Sequence, residues 1–236
     1  MIRQFAYNVY ENYLNRQIEK EQMPEHIIFN LFTNGQGKSS EYLLDTKSKQ
    51  VLGWCQGEFN IKHITIALDR SSTLDYETMK GKLEKLKDDS AIHNYGRKIK
   101  FIGPKEQLPK NIRNLCGEIE EMTGYHTNFL NIGLSNYSGR EEIIKAIKQL
   151  AQKAREGMID PGKIDESTIG SHLYMPDQPD PDLIFRTDSR ISGDLFLWQR
   201  AYSEFVFLDI YWDGFRKIDL MRGIRTYQQR QRRFGR

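Results

Sequence analysis

The densest set of chemically active side chains lies in the segment RTDSRIS, residues 186–192. It holds two guanidinium groups, Arg186 and Arg190, and three hydroxyl groups, including that of Ser192. Arginine presents a planar fork of N–H donors that matches phosphate oxygens, and hydroxyl groups add short donors. The segment is therefore expected to bind a diphosphate. A surface network of arginine and aspartate would explain the same residues equally well.

Glu204 is an acidic residue that stands twelve positions beyond Ser192 in an otherwise apolar stretch. A carboxylate beside a diphosphate commonly holds Mg²⁺ between them, because this ion prefers oxygen ligands. The two features together predict a Mg²⁺-dependent site in which Glu204 is a metal ligand. The structural alternative is that Glu204 only caps a strand.

A second candidate phosphate loop is NGQGK, residues 34–38, which begins with Asn34 and Gly35. Glycine allows backbone N–H groups to approach an anion. The full spacing of a nucleotide-binding P-loop is absent, so that class of site is excluded. Taken alone, such a segment is more often a plain turn, and NYSGR (136–140) is likewise first a turn and a helix start.

Cysteine and histidine chemistry is not indicated. The two cysteines, Cys55 and Cys116, form no CxxC motif and no disulfide framework, which favours a reduced, cytoplasmic setting. The five histidines are scattered and are expected to serve packing or surface roles. Thiol catalysis and a histidine-based metal cluster are therefore not expected.

Regular secondary structure must position these segments, and the hydrophobic pattern predicts strands that alternate with helices. The predicted strands are residues 26–32, 63–68, 98–103, 128–134, 180–187 and 205–212. The predicted helices are residues 3–22, 41–55, 74–87, 112–121, 141–156, 195–202 and one from 217 towards the end. In the fifth of these helices, Ile143, Ile144, Ile147 and Leu150 are expected on one apolar face. This alternation is typical of a largely parallel α/β sheet, which places residues 33–38, 136–140 and 186–192 at one mouth.

Length and charge set the number of domains and argue against some classes of function. With 236 residues, the chain is expected to form one domain, residues 1–236. The net charge is +3, yet six arginines lie in the tail 222–236, which leaves 29 basic against 32 acidic residues in 1–221. This distribution argues against a nucleic-acid-binding surface. No apolar run approaches membrane-spanning length, so a cytoplasmic protein with at most a peripheral membrane contact is expected.

The last third of the chain closely resembles the cis-prenyltransferases, the undecaprenyl and dehydrodolichyl diphosphate synthases. The matching segments are PDLIFRT, SRIS, LFLWQRAYSEFVFLDIYW and RRFG, with PEHIIF, NIGLSNYSGREEII and VYENYLNRQIEKEQ earlier in the chain. The resemblance spans nearly the whole chain. It implies that family's α/β fold: a six-stranded, mostly parallel sheet flanked by helices, with a hydrophobic tunnel for the growing chain, assembled as a dimer.

The resemblance also implies roles for individual residues. The residues that match the family's grip on isopentenyl diphosphate are Arg186, Arg190 and Ser192. Glu204 matches the family's Mg²⁺ ligand. Arg233 and Gly235 match an R-x-G element near the C-terminus, which reaches across the dimer to the partner's isopentenyl diphosphate.

The first loop departs from the family pattern D-G-N-x-R. Aligned through His26 and Asn34, the family's Mg²⁺-binding aspartate is replaced by Phe32, and Asn34 and Gly35 are what is left of the loop. Phenylalanine cannot bind Mg²⁺, and losing such a group typically lowers the rate by a factor of about 100 to 1,000. The allylic half-site is therefore expected to be lost and the isopentenyl half-site largely kept.

These observations favour an accessory subunit of a heteromeric cis-prenyltransferase that makes polyprenyl diphosphate. The family includes such enzymes, in which an inactive subunit lends its R-x-G element to a catalytic subunit in a heterodimer or heterotetramer. One alternative is a divergent prenyltransferase that is active by itself, as a homodimer. Another alternative is a protein that binds prenyl diphosphates but catalyses no reaction. For the arginine tail alone, nucleic-acid binding is the alternative to a contact with the partner subunit.

Overall fold

The computed structural model describes residues 2–31, 45–68, 75–88, 96–134, 136–186 and 194–230. The strands are β1 (His26–Leu31), β2 (His63–Leu68), β3 (Arg97–Ile102), β4 (Asn128–Gly133), β5 (Leu183–Arg186) and β6 (Glu204–Phe207). They form one six-stranded sheet in the order β3-β4-β2-β1-β5-β6. Every neighbouring pair is parallel, so the predicted α/β architecture is confirmed with an all-parallel sheet.

The helices cover both faces of this sheet. They are α1 (Ile2–Gln17), α2 (Thr46–Gly57), α3 (Tyr76–Asp88), α4 (Lys110–Met122), α5 (Gly139–Arg155), α6 (Glu166–Gly170) and α7 (Lys217–Gln229). The larger core contains Ile27 and Phe29 of β1 together with residues of α1, α2, α3, α4 and α7. Ile28 belongs to a smaller core on the opposite face. Because both faces are buried, Ile27, Ile28 and Phe29 of β1 form a continuous apolar run rather than an alternating one.

Two predicted elements near the C-terminus differ from the structure. The sixth strand is present as β6 but ends at Phe207, five residues before the predicted end at 212, and Trp212–Gly214 forms a 3₁₀ turn. The indole of Trp212 is fully buried and packs beside Phe29, so its apolar character reflects core packing rather than a strand. The predicted helix 195–202 is a series of turns, because Phe196 adopts the left-handed region (φ 43°) while its ring packs on Tyr137.

Two helices also differ from the sequence prediction. Helix α1 ends at Gln17, five residues before the predicted end at 22. In α5, Leu150 is buried, but Ile144 and Ile147 are about half exposed, at 51% and 53%. The buried face of α5 instead carries the carboxylate of Glu142. Within the described ranges no helix is both long and apolar enough to span a membrane.

Candidate functional site

Arg186, the last residue of β5, lies at the carboxyl edge of the sheet and has no exposed surface. Its neighbours in the sheet register are Asn30 on β1 and Phe207 on β6. Ligands of open parallel sheets bind at this edge. A buried guanidinium keeps its charge and has lost most of its hydration, so it attracts an anion strongly. The position fits the predicted diphosphate contact.

Glu204, the predicted metal ligand, lies at the opposite, amino edge of the sheet. It is the first residue of β6 and pairs in register with Leu183, the first residue of β5, so Arg186 lies three residues further along. At the usual rise per residue this is a separation of about 10 Å along the strands. The carboxylate of Glu204 forms an ion pair with Arg230 at the end of α7. Within one chain, the structure therefore does not bring Glu204 and Arg186 together.

The described part of one chain does not assemble a Mg²⁺ site. No group of three His, Cys, Asp or Glu side chains in these residues could hold a metal ion. The oxygen ligands that Mg²⁺ needs are thus not gathered beside Arg186 by a single chain's described residues. The other predicted site residues lie outside the described ranges, and their roles stay predictions: Phe32, Asn34, Gly35, Arg190, Ser192, Arg233 and Gly235.

The NYSGR segment also lies at the carboxyl edge and is tied to Asp194. The backbone N–H of Gly139 donates to the Asp194 carbonyl (2.9 Å), and that of Arg140 donates to Asp194 Oδ1 (3.0 Å). A Cβ on Gly139 would lie 2.6 Å from the Asp194 carbonyl oxygen, so this contact requires glycine. Asp194 is the first described residue after the predicted diphosphate segment, and this contact joins it to the start of α5. The segment is a turn and a helix start, as expected, with Ser138 as the N-cap of α5.

A buried carboxylate on α5 connects this helix to three other parts of the chain. Glu142 is 3% exposed and accepts hydrogen bonds from Tyr137 Oη (2.6 Å), the Tyr174 backbone N–H (2.7 Å) and Gln199 Nε2 (3.1 Å). Burial raises the pKa of Glu142, and these hydrogen bonds act in the opposite direction. Sequence reasoning missed this residue, because a glutamate in the first turn of an amphipathic helix ordinarily faces solvent.

A second buried network lies on the same face nearer the amino edge. His26 Nε2 contacts Thr65 Oγ1 (2.8 Å), Asn131 Nδ2 donates to the same hydroxyl (2.9 Å), and Asn131 and Gln178 exchange two hydrogen bonds. Burial lowers the pKa of His26 to about 4, which keeps the ring neutral near pH 7. These bonds join β1, β2 and β4 in register, so His26 has a packing role.

The sequence is similar to prenyl diphosphate synthases along almost its whole length. Residues 45–235 match the family model described as "Putative undecaprenyl diphosphate synthase". The tritrans,polycis-undecaprenyl-diphosphate synthase (geranylgeranyl-diphosphate specific) of Thermococcus kodakarensis is 36% identical over 98% of this chain and 94% of the relative. The enzyme of the same description from Methanocaldococcus jannaschii is 37% identical over 96% of this chain and 88% of the relative.

The fold is also shared with a solved synthase. Lavandulyl diphosphate synthase from Lavandula x intermedia, in complex with dimethylallyl diphosphate, superposes with a TM-score of 0.72. The superposition covers 92% of this chain and all of that one (100%), at 23% sequence identity. This likeness establishes a common architecture.

Proposed function

Because this chain belongs to the undecaprenyl diphosphate synthase family of cis-prenyltransferases, we propose that it is a prenyl diphosphate synthase that is active by itself as a homodimer. It would join isopentenyl diphosphate to an allylic diphosphate, with geranylgeranyl diphosphate as the first choice from its archaeal relatives. In this condensation the allylic C–O bond breaks and pyrophosphate leaves with the electron pair. The isopentenyl double bond then forms the new C–C bond, and a proton is lost. The observation that carries the proposal is the buried Arg186 at the carboxyl edge of the sheet.

The accessory-subunit hypothesis gains no support from the comparisons. The relatives that match over nearly the full length are described as synthases, and none of those cited is described as a partner subunit. The replacement of the family aspartate by Phe32 stays the one argument for a non-catalytic chain. Catalysis by the chain alone is therefore the better-supported function.

The sheet geometry favours a two-fold dimer with a shared site. Arg186 lies at the carboxyl edge, whereas Glu204 and Arg230 lie at the amino edge, and the predicted arm with Arg233 follows Arg230. If a two-fold axis passed beside the outer edge of β6, the strands of the two protomers' sheets would run in opposite directions. The partner's Glu204 and the partner's arm would then face this protomer's Arg186. Mg²⁺ held there would offset the charge of the diphosphate.

An exposed aromatic side chain on β6 supports such an interface. Phe207 on this edge strand is 44% exposed. An unpaired edge strand is a ready surface for another copy of the chain. The hydrophobic tunnel expected for the growing prenyl chain stays a prediction, and on the other face of the sheet Leu52 of α2 and Leu83 of α3 are packed in the larger apolar core.

Turnover by the isolated protein is the direct test. Purified protein is incubated with geranylgeranyl diphosphate, labelled isopentenyl diphosphate and Mg²⁺, either alone or with a family member that carries an intact D-G-N-x-R loop. We expect chain elongation by the protein alone. Turnover only in the presence of the second protein would instead support the accessory subunit. Saturable binding without any effect on turnover would support a binding protein.

The substitution Phe32→Asp should raise the turnover number by about 100-fold, because it adds a carboxylate where the family holds Mg²⁺ on the allylic diphosphate. The measurement is kcat over a Mg²⁺ titration, with Phe32→Ser as the control that removes the ring without adding a charge. An unchanged kcat in Phe32→Asp would contradict the inference that the missing carboxylate limits the rate.

A peripheral membrane contact through α1 is part of the proposal. The product is a lipid, and α1 exposes four apolar and aromatic side chains: Phe5 (72% exposed), Val9 (52%), Tyr10 (40%) and Tyr13 (49%). Such side chains bind the headgroup region of a bilayer. Phe5→Ser with Tyr13→Ser should at least halve co-sedimentation with phosphatidylglycerol vesicles, and Tyr125→Ser, at an equally exposed ring, should not. Equal binding by both variants would contradict the contact.

A further inference from the structure

Asn30 is a buried amide in the apolar central strand of the sheet. It follows Ile28 and Phe29 on β1, and its side chain is 1% exposed. Its Oδ1 atom accepts no hydrogen bond from any residue of the ranges that the structure describes. A buried acceptor without a donor lowers the stability of a fold, and such atoms in native proteins call for an explanation. The amide therefore points to a role other than packing.

The register of the sheet shows what Asn30 faces. Asn30 pairs with Arg186 on β5 and with Ala67 on β2, and Ala67 pairs with Gly133 on β4. Paired residues of neighbouring strands lie on the same face, about 4.8 Å apart. Along this row the side chains are a guanidinium, an amide, a methyl group and a hydrogen atom. The polar groups of the row are thus confined to Arg186 and Asn30, at the edge where ligands bind.

We propose that Asn30 is a positioning residue for Arg186 in the diphosphate-bound protein. Its Oδ1 accepts one guanidinium N–H, and this bond turns the other N–H donors of the planar fork towards the diphosphate oxygens. An amide suits this task because it accepts a hydrogen bond without a negative charge. A carboxylate at position 30 would pair with the guanidinium and compete with the anionic ligand. The inference rests on the proposed function, since it assigns a diphosphate to Arg186.

Asn131 provides a matched control. It is also a buried amide on the same face of the sheet, but its side chain is hydrogen-bonded to Thr65 and Gln178. Leucine is close in size to asparagine and offers neither donor nor acceptor. Asn131→Leu therefore breaks a satisfied network, whereas Asn30→Leu removes an unsatisfied acceptor. The two variants should have opposite effects on stability and on ligand binding.

The test measures the affinity for inorganic pyrophosphate by calorimetry and the Tm by thermal unfolding. Asn30→Leu should weaken pyrophosphate binding about tenfold and keep or raise the Tm, by up to about 4 °C. Asn131→Leu should lower the Tm and leave the affinity within about twofold of the native value. In steady-state turnover, Asn30→Leu should raise KM for isopentenyl diphosphate more than it changes kcat, and Asn30→Asp should weaken pyrophosphate binding as well.

Native-like pyrophosphate affinity in Asn30→Leu overturns the inference, as does a Tm that falls together with the affinity. If the native protein elongates prenyl diphosphates and Asn30→Leu is indistinguishable from it, only the role of Asn30 fails. If the native protein neither binds pyrophosphate nor turns over, the proposed function fails with it.

Discussion

Arg186→Leu should lower kcat/KM for isopentenyl diphosphate by about 100- to 1,000-fold while the protein stays folded. Arg186 has no exposed surface and lies at the carboxyl edge of the sheet, where ligands of parallel sheets bind. Leucine leaves no charge to bind the anion, and it removes a buried cation that is costly to desolvate. The measurement combines steady-state kinetics with circular dichroism and the Tm of the variant.

Arg97 is a matched control for this substitution. It is the first residue of β3, is 2% exposed, and donates to the backbone carbonyls of Ile61, Lys62 and Phe129 at the amino edge. Arg97→Leu leaves buried carbonyls without donors, so it should lower the Tm and spare kcat/KM per folded molecule. If Arg186→Leu keeps native kinetics, or if the two variants lose activity alike, the diphosphate contact at Arg186 is refuted.

Gly223→Ala should destabilise the protein by about 3 kcal/mol or more, because the added methyl group would overpack the space between α7 and β5. A Cβ at position 223 would lie 2.2 Å from the ring of Phe185. That ring is stacked on Phe29 (5.3 Å between centroids) and packed edge-on to Phe215 (5.5 Å), so it has no free space to move into. Helix α7 would have to shift away from the strand that carries Arg186. Urea unfolding of the purified variant gives the change in the free energy of unfolding.

Gly117 in α4 supplies the control for this prediction. No atom of the described residues outside α4's own backbone lies within 4 Å of a Cβ placed there, so Gly117→Ala should stabilise the protein by about 0.5–1 kcal/mol through helix propensity. The double variant Gly223→Ala with Phe185→Leu should recover part of the lost stability. A single Gly223→Ala variant as stable as the native protein would show that α7 and β5 are not packed as described.

The order of strands and helices was predictable because burial on both faces leaves continuous apolar runs. HITIAL, for example, is β2 with the predicted bounds. Single amphipathic residues were less predictable. Trp212 continues the aromatic pattern of β6 yet turns into the core, and Glu142 is buried because it accepts hydrogen bonds from Tyr174 and Gln199, 32 and 57 residues away, as well as from nearby Tyr137. The hydrophobic periodicity of the sequence carries no information on contacts between distant parts of the chain.

Residue types singled out Arg186 as a diphosphate contact and Glu204 as a Mg²⁺ ligand beside the same diphosphate, and both roles stay predictions. The sequence did not indicate that the two residues lie at opposite edges of the sheet in one chain. All strands of a parallel sheet begin at the same edge, so a residue at the start of β6 lies away from the end of β5. Asn30 gave no sequence signal, because its importance depends on a register between strands more than 150 positions apart.

Subunit complementation tests the shared two-fold site most directly. Arg186→Leu and Arg233→Ala are purified as separate inactive proteins, mixed, and allowed to exchange subunits. Half of the dimers formed at random are mixed, and each contains one site with both arginines intact. The mixture should therefore regain about a quarter of the turnover of the native protein assayed alone. A mixture as inactive as its parents, or a native protein without turnover of its own, would contradict an active homodimer with a shared site.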